Sequence, residues 1–212
     1  MKALTFYFDF ISPYAWLAFD ALPRQLQGLS YQVRYQPVLF AALLKHHGQL
    51  GPAEMPGKRE WTYRQVQWLA HTQGTPLQLP ATHPFNPLVL LRLAVASDAD
   101  GLPNRHVCEK IFRHVWCSGL DAADAGRAAA LRDELAPARD PQSDAVRQDL
   151  HRHTAEALSQ GVFGVPTVAV DDRLFWGLDA LPMLSAYLRG DPWYQGGAWE
   201  AAAQCQPGVQ RR

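Results

Sequence analysis

The N-terminal part of the chain contains two kinds of hydrophobic pattern. Ala3 to Phe10 is a continuous apolar and aromatic run, which is typical of a buried β-strand. From Tyr14 to Gln27 apolar residues recur every three or four positions and Gly28 follows as a stop signal, so this segment predicts a helix. Tyr31 to Val38 alternates between apolar and polar residues and predicts a second strand. A strand, a helix and a strand in this order predict a βαβ unit with parallel strands.

The middle of the chain has a helical pattern. We expect no strand between Phe40 and Gly161, because Gly, Pro and Asp residues there separate segments with helical spacing. The predicted helices are Lys58 to Gln73, Pro87 to Ser97, Asn104 to Ser118, Ala123 to Ala136 and Gln142 to Gln160.

The C-terminal part returns to strand patterns. Val162 to Val170 is apolar and β-branched and predicts a strand, and Arg173 to Trp176 predicts its hairpin partner after a turn at Asp171-Asp172. Asp179 to Leu188 predicts a closing helix, and we expect the tail from Gly190 to be irregular beyond one short turn. Three tail aromatics are expected to be exposed and to favour self-association: Trp193, Tyr194 and Trp199.

Composition narrows the classes of partner and the compartment. Hydrophobic residues make up 48% of the 212 residues, and 20 basic residues balance 20 acidic ones. This balance argues against a nucleic-acid or membrane-surface partner, since both favour a basic surface. No apolar run reaches the roughly 18 residues that span a bilayer. Asp9 and Pro13 interrupt the opening apolar stretch, which therefore lacks a secretory signal pattern, and we expect a cytoplasmic location.

The cysteine and histidine spacings do not predict a metal site. The three cysteines, Cys108, Cys117 and Cys205, are odd in number and include no C-x-x-C pair, which argues against a disulfide framework and against zinc. The neighbouring pairs His46-His47 and His151-x-His153 have no third ligand at a useful spacing. We therefore expect no bound metal.

The sequence D-F-I-S-P-Y-A-W places Ser12 between the first strand and the first helix. Serine is a preferred N-cap and Pro13 fits the first helical position, so Ser12 can be an ordinary capping residue. Alternatively, the free N–H groups and the positive end of the helix dipole can stabilise an anion there, whether a phosphate or a thiolate.

Two later motifs each allow a structural and a functional interpretation. In G-V-F-G-V-P-T, Pro166 is either an edge-strand proline or part of a cis Val165–Pro166 bond that exposes the Val165 backbone to an extended ligand. In F-W-G-L-D-A-L, Gly177 allows a close approach of the chain. Asp179 can cap the last helix or bind a ligand amino group.

Taken together and in this order, the three motifs resemble the 2-hydroxychromene-2-carboxylate isomerase family. That family is grouped with kappa-class glutathione transferases and DsbA-like proteins in the thioredoxin superfamily, and the resemblance covers Leu4 to Leu188. It implies an α/β, thioredoxin-like fold with a large all-helical insertion. Residues 1–42 and 161–190 would form the thioredoxin-like domain, residues 43–160 the insertion and residues 191–212 a C-terminal tail. The resemblance also implies that the Val165–Pro166 bond is cis.

The resemblance implies glutathione as the cofactor. Ser12 and Ala15 stand where DsbA-like oxidoreductases carry C-x-x-C, so a dithiol–disulfide cycle is excluded at this motif. Ser12 is the implied catalytic residue, placed beside the glutathione thiolate, and Asp179 is the implied partner of the glutathione ammonium group. The implied glutathione-binding residues are Ser12, Val165, Pro166, Trp176, Gly177, Leu178 and Asp179.

The implied reaction is an isomerisation in aromatic degradation. The thiolate adds to a conjugated, ring-opened intermediate, the carbon–carbon bond rotates, and the thiolate leaves. The implied substrate-binding residues are Lys45, Lys58, His83 and Asn86. Either lysine can instead be a solvated surface charge, and His83 can be a turn residue beside its proline. Gln49, where members often have asparagine, and Ala180, where many have arginine, depart from the family pattern on the expected ligand surface.

Two other functions stay open at this point. One is a kappa-like glutathione transferase, which would consume glutathione in forming conjugates. The other is a non-catalytic thioredoxin-fold module that binds a peptide or partner chain along the Pro166 edge, since a fold does not fix a function. The resemblance further implies a homodimer with a small-molecule aromatic substrate.

Overall fold

One mixed four-stranded sheet organises the chain. The computed structural model describes residues 1–205 and 208. The strands are β1 (Lys2–Phe8), β2 (Tyr31–Pro37), β3 (Thr167–Val170) and β4 (Arg173–Trp176), in the spatial order β2-β1-β3-β4. β1 is parallel to β2 and antiparallel to β3, and β3 and β4 form an antiparallel hairpin. The predicted βαβ unit and hairpin are both confirmed.

Helix α1 (Pro13–Gln25) connects β1 to β2. Its apolar face is fully buried, and Trp16 stacks on Phe19 with ring centroids 6.2 Å apart. Phe112 of the insertion packs against Phe19 at 5.1 Å and against Phe8 of β1 at 5.5 Å. The sheet, α1 and the inserted helices therefore share one aromatic core, and burying such rings is among the largest stabilising contributions available to a chain of this size.

The insertion contains helices and no strand between residues 40 and 161, a span that is described in full. Its elements are α2 (Phe40–His46), a short 3₁₀ helix (Pro52–Glu54), α3 (Lys58–Gln73), α4 (Leu88–Ala96), α5 (Arg105–Trp116), α6 (Ala125–Leu135) and α7 (Asp144–Ser159). The five predicted helices are confirmed to within two residues at each end. Helix α2 was not predicted.

Helix α2 lacks the sequence signals of a helix start. Its N-cap is Leu39, which makes no capping bond through its side chain. The first amides find partners far along the chain: Leu39 N–H donates to Thr154 Oγ1 at 3.1 Å, and Phe40 N–H donates to Asp9 Oδ2 at 3.0 Å. Hydrogen bonds between residues this far apart in the sequence stabilise a helix end as a capping residue would, but no local sequence pattern predicts them.

The predicted strand from Val162 to Val170 is too long, because only Thr167–Val170 joins the sheet. The ladder with β1 ends at the pair Tyr7↔Thr167, and Pro166 has no N–H with which to extend it. Residues 162–166 therefore form a loop that places Pro166 directly before β3. Because β3 lies between β1 and β4, the interpretation of Pro166 as an edge-strand proline is wrong.

The last helix also begins later than predicted. A 3₁₀ helix (Leu178–Ala180) precedes α8 (Leu181–Leu188), whose N-cap is Ala180 without a side-chain capping bond. Asp179 therefore does not cap α8, and the structural interpretation of this residue is wrong.

The tail is more ordered than predicted. It forms a 3₁₀ helix (Pro192–Tyr194) and α9 (Ala198–Ala202). Tyr194 is buried, Trp199 is half-buried with its ring 5.6 Å from that of Phe175, and Arg173 pairs with Glu200 at 2.8 Å. The expectation of an exposed aromatic tail holds only for Trp193. Residues 206–207 and 209–212 of the predicted tail lie outside the described residues.

Within the described residues, none of the helices combines the length and the apolar character that crossing a membrane requires.

Candidate active site

Ser12 occupies the N-cap of α1. Its backbone is extended, its Oγ accepts a hydrogen bond from Ala15 N–H at 3.2 Å, and Pro13 follows at the first helical position. Ser12 is 7% exposed. Since the capping bond uses a lone pair of Oγ, the hydroxyl proton stays available to donate toward an acceptor at the positive end of the helix.

The loop before β3 brings Val165 to Ser12. Ser12 Oγ donates to the Val165 carbonyl at 3.5 Å, which is at the outer limit of a hydrogen bond and leaves the hydroxyl loosely held. The Val165–Pro166 bond is cis, so the expectation drawn from the resemblance is confirmed. Among the described residues, the Val165 N–H has no hydrogen-bond partner. Both polar backbone groups of Val165 are therefore able to pair with an extended ligand.

Asp9 anchors the loop that carries Ser12. Its side chain is fully buried, and its two oxygens accept from Ile11 N–H at 3.1 Å and from Phe40 N–H at 3.0 Å. The Asp9 carbonyl accepts from Ser12 N–H at 3.1 Å. Burial raises the pKa of the Asp9 carboxyl to about 7, because the loss of hydration outweighs the backbone donors.

His83 fastens the same loop to the insertion. Its ring nitrogens lie 2.8 Å from the Ile11 carbonyl oxygen and 2.8 Å from the Tyr63 hydroxyl. The His83 ring also packs against Trp116 at 5.5 Å. The His83–Pro84 bond is also cis, which the sequence pattern did not predict.

The turn after β4 lies beside Pro166. Gly177 N–H donates to the Pro166 carbonyl at 2.9 Å, and Gly177 has a positive φ of 97°. Trp176 is 53% exposed, and its ring lies 5.0 Å from that of Phe163. Leu178 is buried. A half-exposed indole beside Pro166 offers an apolar surface to a ligand bound along Val165.

Asp179 is exposed and lies near the first turn of α1. Burial raises the pKa of the Tyr14 hydroxyl, and the negative charge of Asp179 raises it further. Tyr14 donates to Gln65 Oε1 of α3 at 2.7 Å. The Asp179 carboxylate is therefore close enough to α1 to contribute to the electrostatics of the same site.

The predicted substrate residues are placed in three different ways. Lys45, in the last turn of α2, and Lys58, at the first position of α3, are both exposed. Asn86 Oδ1 accepts from Leu88 N–H at 3.1 Å and so supports the start of α4. His83 is joined to the Ser12 loop as described above. The structure thus joins His83 to the Ser12 loop at Ile11 and gives no hydrogen bond between either lysine and that loop among the described residues.

Some residues around Ser12 were missed by sequence reasoning. Asp9 could have been identified, since an acidic residue within an aromatic run of the sequence needs buried partners. Tyr63 could not, because its contact with His83 depends on a loop conformation.

No group of three or more His, Cys, Asp or Glu side chains in residues 1–205 and 208 is arranged to hold a metal ion. Cys108 is buried, Cys117 is half-buried and Cys205 is exposed, and all three are free thiols.

Comparisons with known proteins place these features in a family. The 2-hydroxychromene-2-carboxylate isomerase of Sphingobium xenophagum is 26% identical over 194 residues, covering 88% of this chain and 98% of that protein. Glutathione S-transferase kappa 1 of Rattus norvegicus is 27% identical over 213 residues, covering 91% of this chain and 92% of the transferase. A solved structure of 2-hydroxychromene-2-carboxylate isomerase superposes with a TM-score of 0.77 at 25% identity, covering 92% and 98% of the two chains.

These relatives are isomerases and transferases, which supports an enzyme built on the same scaffold. Residues 3–189 match the family described as a DSBA-like thioredoxin domain. This match spans the sheet, the helical insertion and the Ser12 site, and the chain therefore belongs to the DSBA-like thioredoxin domain family.

Proposed function

We propose that the chain is a glutathione-dependent isomerase that acts on 2-hydroxychromene-2-carboxylate or a related ring-opened aromatic intermediate. The observation that carries this proposal is a serine, Ser12, at the N-terminus of α1, with Ala15 three residues later and the Val165 carbonyl 3.5 Å from the hydroxyl. Without a thiol at either position this motif cannot exchange disulfides, so a reactive sulfur at this place has to come from a ligand. The named isomerase relatives support the choice of reaction.

The residues around Ser12 suit a γ-glutamyl tripeptide. The Val165 N–H lacks a partner among the described residues, and its carbonyl is held only by the long Ser12 bond. These two groups would pair with the backbone of the central residue of glutathione. Asp179 would bind the ammonium group, and the exposed Trp176 would cover the γ-glutamyl chain beside Gly177 and Leu178.

Glutathione, when bound, would supply a thiolate nucleophile for reversible addition to the conjugated system. Ser12 would donate its hydroxyl proton toward the sulfur, and the positive end of the α1 dipole would add a favourable field. Asp9 and His83 keep the Ser12 loop in place from either side.

Lys45 and Lys58 are the candidates for the substrate carboxylate or the glycine carboxylate of glutathione. Asn86 and His83 are proposed as pocket walls, with their polar atoms engaged by protein groups.

Calorimetry of glutathione binding across about pH 6 to 9 tests the role of Ser12. The wild type should bind glutathione with release of a proton, and Ser12→Ala should lose that release. Ser143→Ala is a matched control, because Ser143 caps α7 in the same way, with its Oγ accepting from Val146 N–H, and lies on a different element. Proton release that is unchanged in Ser12→Ala would refute the assignment.

A kappa-like glutathione transferase is the second candidate, because a kappa transferase matches the chain at a similar identity and coverage. Product analysis separates the two activities: an isomerase returns all added glutathione, whereas a transferase consumes it in conjugates. Absence of glutathione binding at millimolar concentration would remove both and favour a non-catalytic module that binds a peptide at the Val165 edge.

A further inference from the structure

Helix α3 begins ahead of the N-terminus of α1. The two helices pack against each other. Tyr14, the second residue of α1, donates to Gln65 in the middle of α3 at 2.7 Å, and Thr75, just after α3, donates to Asp20 further along α1 at 2.7 Å. The helices therefore run in the same direction. At about 1.5 Å per residue, the part of α3 before Gln65 extends roughly 10 Å beyond Tyr14, past Ser12 and into the space before the positive end of α1.

A second contact fixes the first half of α3 to the Ser12 loop. The Tyr63 hydroxyl lies 2.8 Å from one ring nitrogen of His83, and the other ring nitrogen lies 2.8 Å from the Ile11 carbonyl oxygen. Exposed side chains in the first turns of α3 therefore border the space before Ser12.

Trp61 is the exposed aromatic residue of these turns. It lies four residues before Gln65 and so on the same side of α3, and a helical side chain leans toward the N-terminus of its helix. Its indole is 63% exposed, although tryptophan is highly buried on average. A flat apolar surface is thus left open at the border of the candidate active site.

Lys58 lies three residues before Trp61, at the first position of α3, and is exposed. Residues at this spacing are neighbours on a helix surface, with Cβ atoms about 5–6 Å apart. An ammonium group beside an open indole matches a ligand that carries a carboxylate on an aromatic framework.

We propose that Trp61 is a specificity-determining residue that selects aromatic carboxylates at this site. The aromatic ring of the substrate packs on the Trp61 indole, and its carboxylate pairs with Lys58. The inference rests on the proposed function and deepens it, since a ring-opened aromatic carboxylate carries both groups. The insertion then binds the substrate through Trp61, while the sheet binds glutathione beside Trp176.

Trp68 provides a matched comparison. It is also 63% exposed and lies on the same side of α3, seven residues or about 10 Å further from the N-terminus of α1, with its ring 5.9 Å from that of His71. A second protein molecule docked on this side of α3 would cover both tryptophans, whereas a small substrate before Ser12 contacts only Trp61.

The test uses 2-naphthoate, which has two fused aromatic rings and a carboxylate and does not react with a thiolate. 2-Naphthamide is the neutral control of the same shape, and acetate is the carboxylate without the rings. Binding is measured by calorimetry without glutathione, so that the result does not depend on glutathione use. We expect the wild type to bind 2-naphthoate more tightly than either control.

Four variants locate the effect. Trp61→Ala should weaken 2-naphthoate binding about tenfold, because both the ring contact and the buried apolar area are lost. Trp61→Phe should restore most of this affinity, and Trp68→Ala should bind like the wild type. Lys58→Gln should weaken the binding of 2-naphthoate and leave that of 2-naphthamide unchanged. With 2-hydroxychromene-2-carboxylate, Trp61→Ala should raise KM and leave the affinity for glutathione unchanged.

The proposal is overturned if the wild type does not bind 2-naphthoate, if Trp61→Ala binds it as tightly as the wild type, or if Trp68→Ala loses as much affinity as Trp61→Ala. Binding of 2-naphthoate that depends on Trp61 in a protein that does not bind glutathione would refute the proposed isomerase and support the role of Trp61. Turnover with an unchanged KM in Trp61→Ala would refute the role of Trp61 alone.

Discussion

The Nε2 atom of His83 lies 2.8 Å from the carbonyl oxygen of Ile11, the residue that precedes Ser12. A carbonyl only accepts, so Nε2 carries the proton of this bond, and Nδ1 is an acceptor. The Tyr63 hydroxyl lies 2.8 Å from Nδ1 and 3.0 Å from the His83 carbonyl oxygen, and its one proton is shared between these two acceptors. Burial lowers the pKa of His83, which favours this neutral form. A neutral imidazole thus connects α3 of the insertion to the loop of the candidate catalytic serine.

Replacing His83 tests how much this connection stabilises the loop. His83→Ala should lower the free energy of unfolding by about 2–5 kcal/mol, because it leaves a cavity and strands a carbonyl that is no longer paired. His83→Gln can donate to Ile11 and accept from Tyr63, and should lose less. Urea unfolding measures both. Equal losses for the two variants would mean that packing against Trp116, and not the hydrogen bonds, is what His83 contributes.

Ser12→Ala separates a capping role from a chemical role. Loss of the cap should lower the free energy of unfolding by about 1 kcal/mol, and Ser143→Ala, which removes the equivalent cap of α7, should cost a similar amount. Only Ser12→Ala should reduce isomerase turnover with 2-hydroxychromene-2-carboxylate and glutathione. If Ser143→Ala reduces turnover as much, the effect is one of stability and Ser12 has no special role.

The sequence predicted the elements with strong local signals. The βαβ unit, the hairpin and five inserted helices follow from periodicity and from Gly, Pro and Ser punctuation, and the fold class follows from the order of three motifs. It did not predict α2, because the amides of Leu39 and Phe40 are satisfied by Thr154 and Asp9, which lie far away in the chain.

For the candidate site too, the sequence predicted the residues with local signals and not the contacts that depend on the fold. Ser12 and Pro166 stand out locally, whereas the contacts of His83 depend on a loop that folds against α3. The length of β3 was overestimated because an apolar run does not reveal where pairing with β1 ends. Burial of Tyr194 was not predicted, because its partners Phe175 and Arg173 come into contact with it only once the hairpin has formed.

Asp9 should make the protein less stable as the pH rises. Its folded pKa of about 7 is above the ordinary value of 3.8, so the folded state binds the proton more tightly between these values. The stabilisation is fully present below about pH 4 and is lost as the pH rises through 7, with a total on the order of 4 kcal/mol. Asp9→Asn lacks this titration. The unfolding free energy of the wild type minus that of the variant should therefore decrease from pH 4 to pH 7.5, as measured by chemical denaturation at each pH.

His153 should act in the opposite direction. It is fully buried, neither ring nitrogen has a partner among the described residues, and burial lowers its pKa to about 4. The unfolded state then binds more protons between about pH 4 and 6.5, so stability falls as the pH is lowered through this window, by on the order of 3 kcal/mol. His153→Leu removes no hydrogen bond. Its free energy of unfolding should therefore rise relative to that of the wild type as the pH falls. A constant difference between the two proteins from pH 7 to pH 4.5 would contradict this assignment.

Gly164 controls the position of Trp176 at the proposed glutathione surface. A Cβ on Gly164 would lie 2.6 Å from the Nε1 atom of Trp176, which is closer than real contacts allow, so the indole must move in Gly164→Ala. Because Trp176 is 53% exposed, it can move without disturbing the core, and the unfolding free energy should change little. Glutathione affinity, measured by calorimetry, should fall several-fold if the indole covers the γ-glutamyl chain.

Gly196→Ala is the control. A Cβ on Gly196 would have the Pro192 carbonyl oxygen as its nearest neighbour, at 3.8 Å, and Gly196 lies outside the site. Unchanged affinity in Gly164→Ala would exclude Trp176 from the glutathione surface while leaving the role proposed for Ser12 intact.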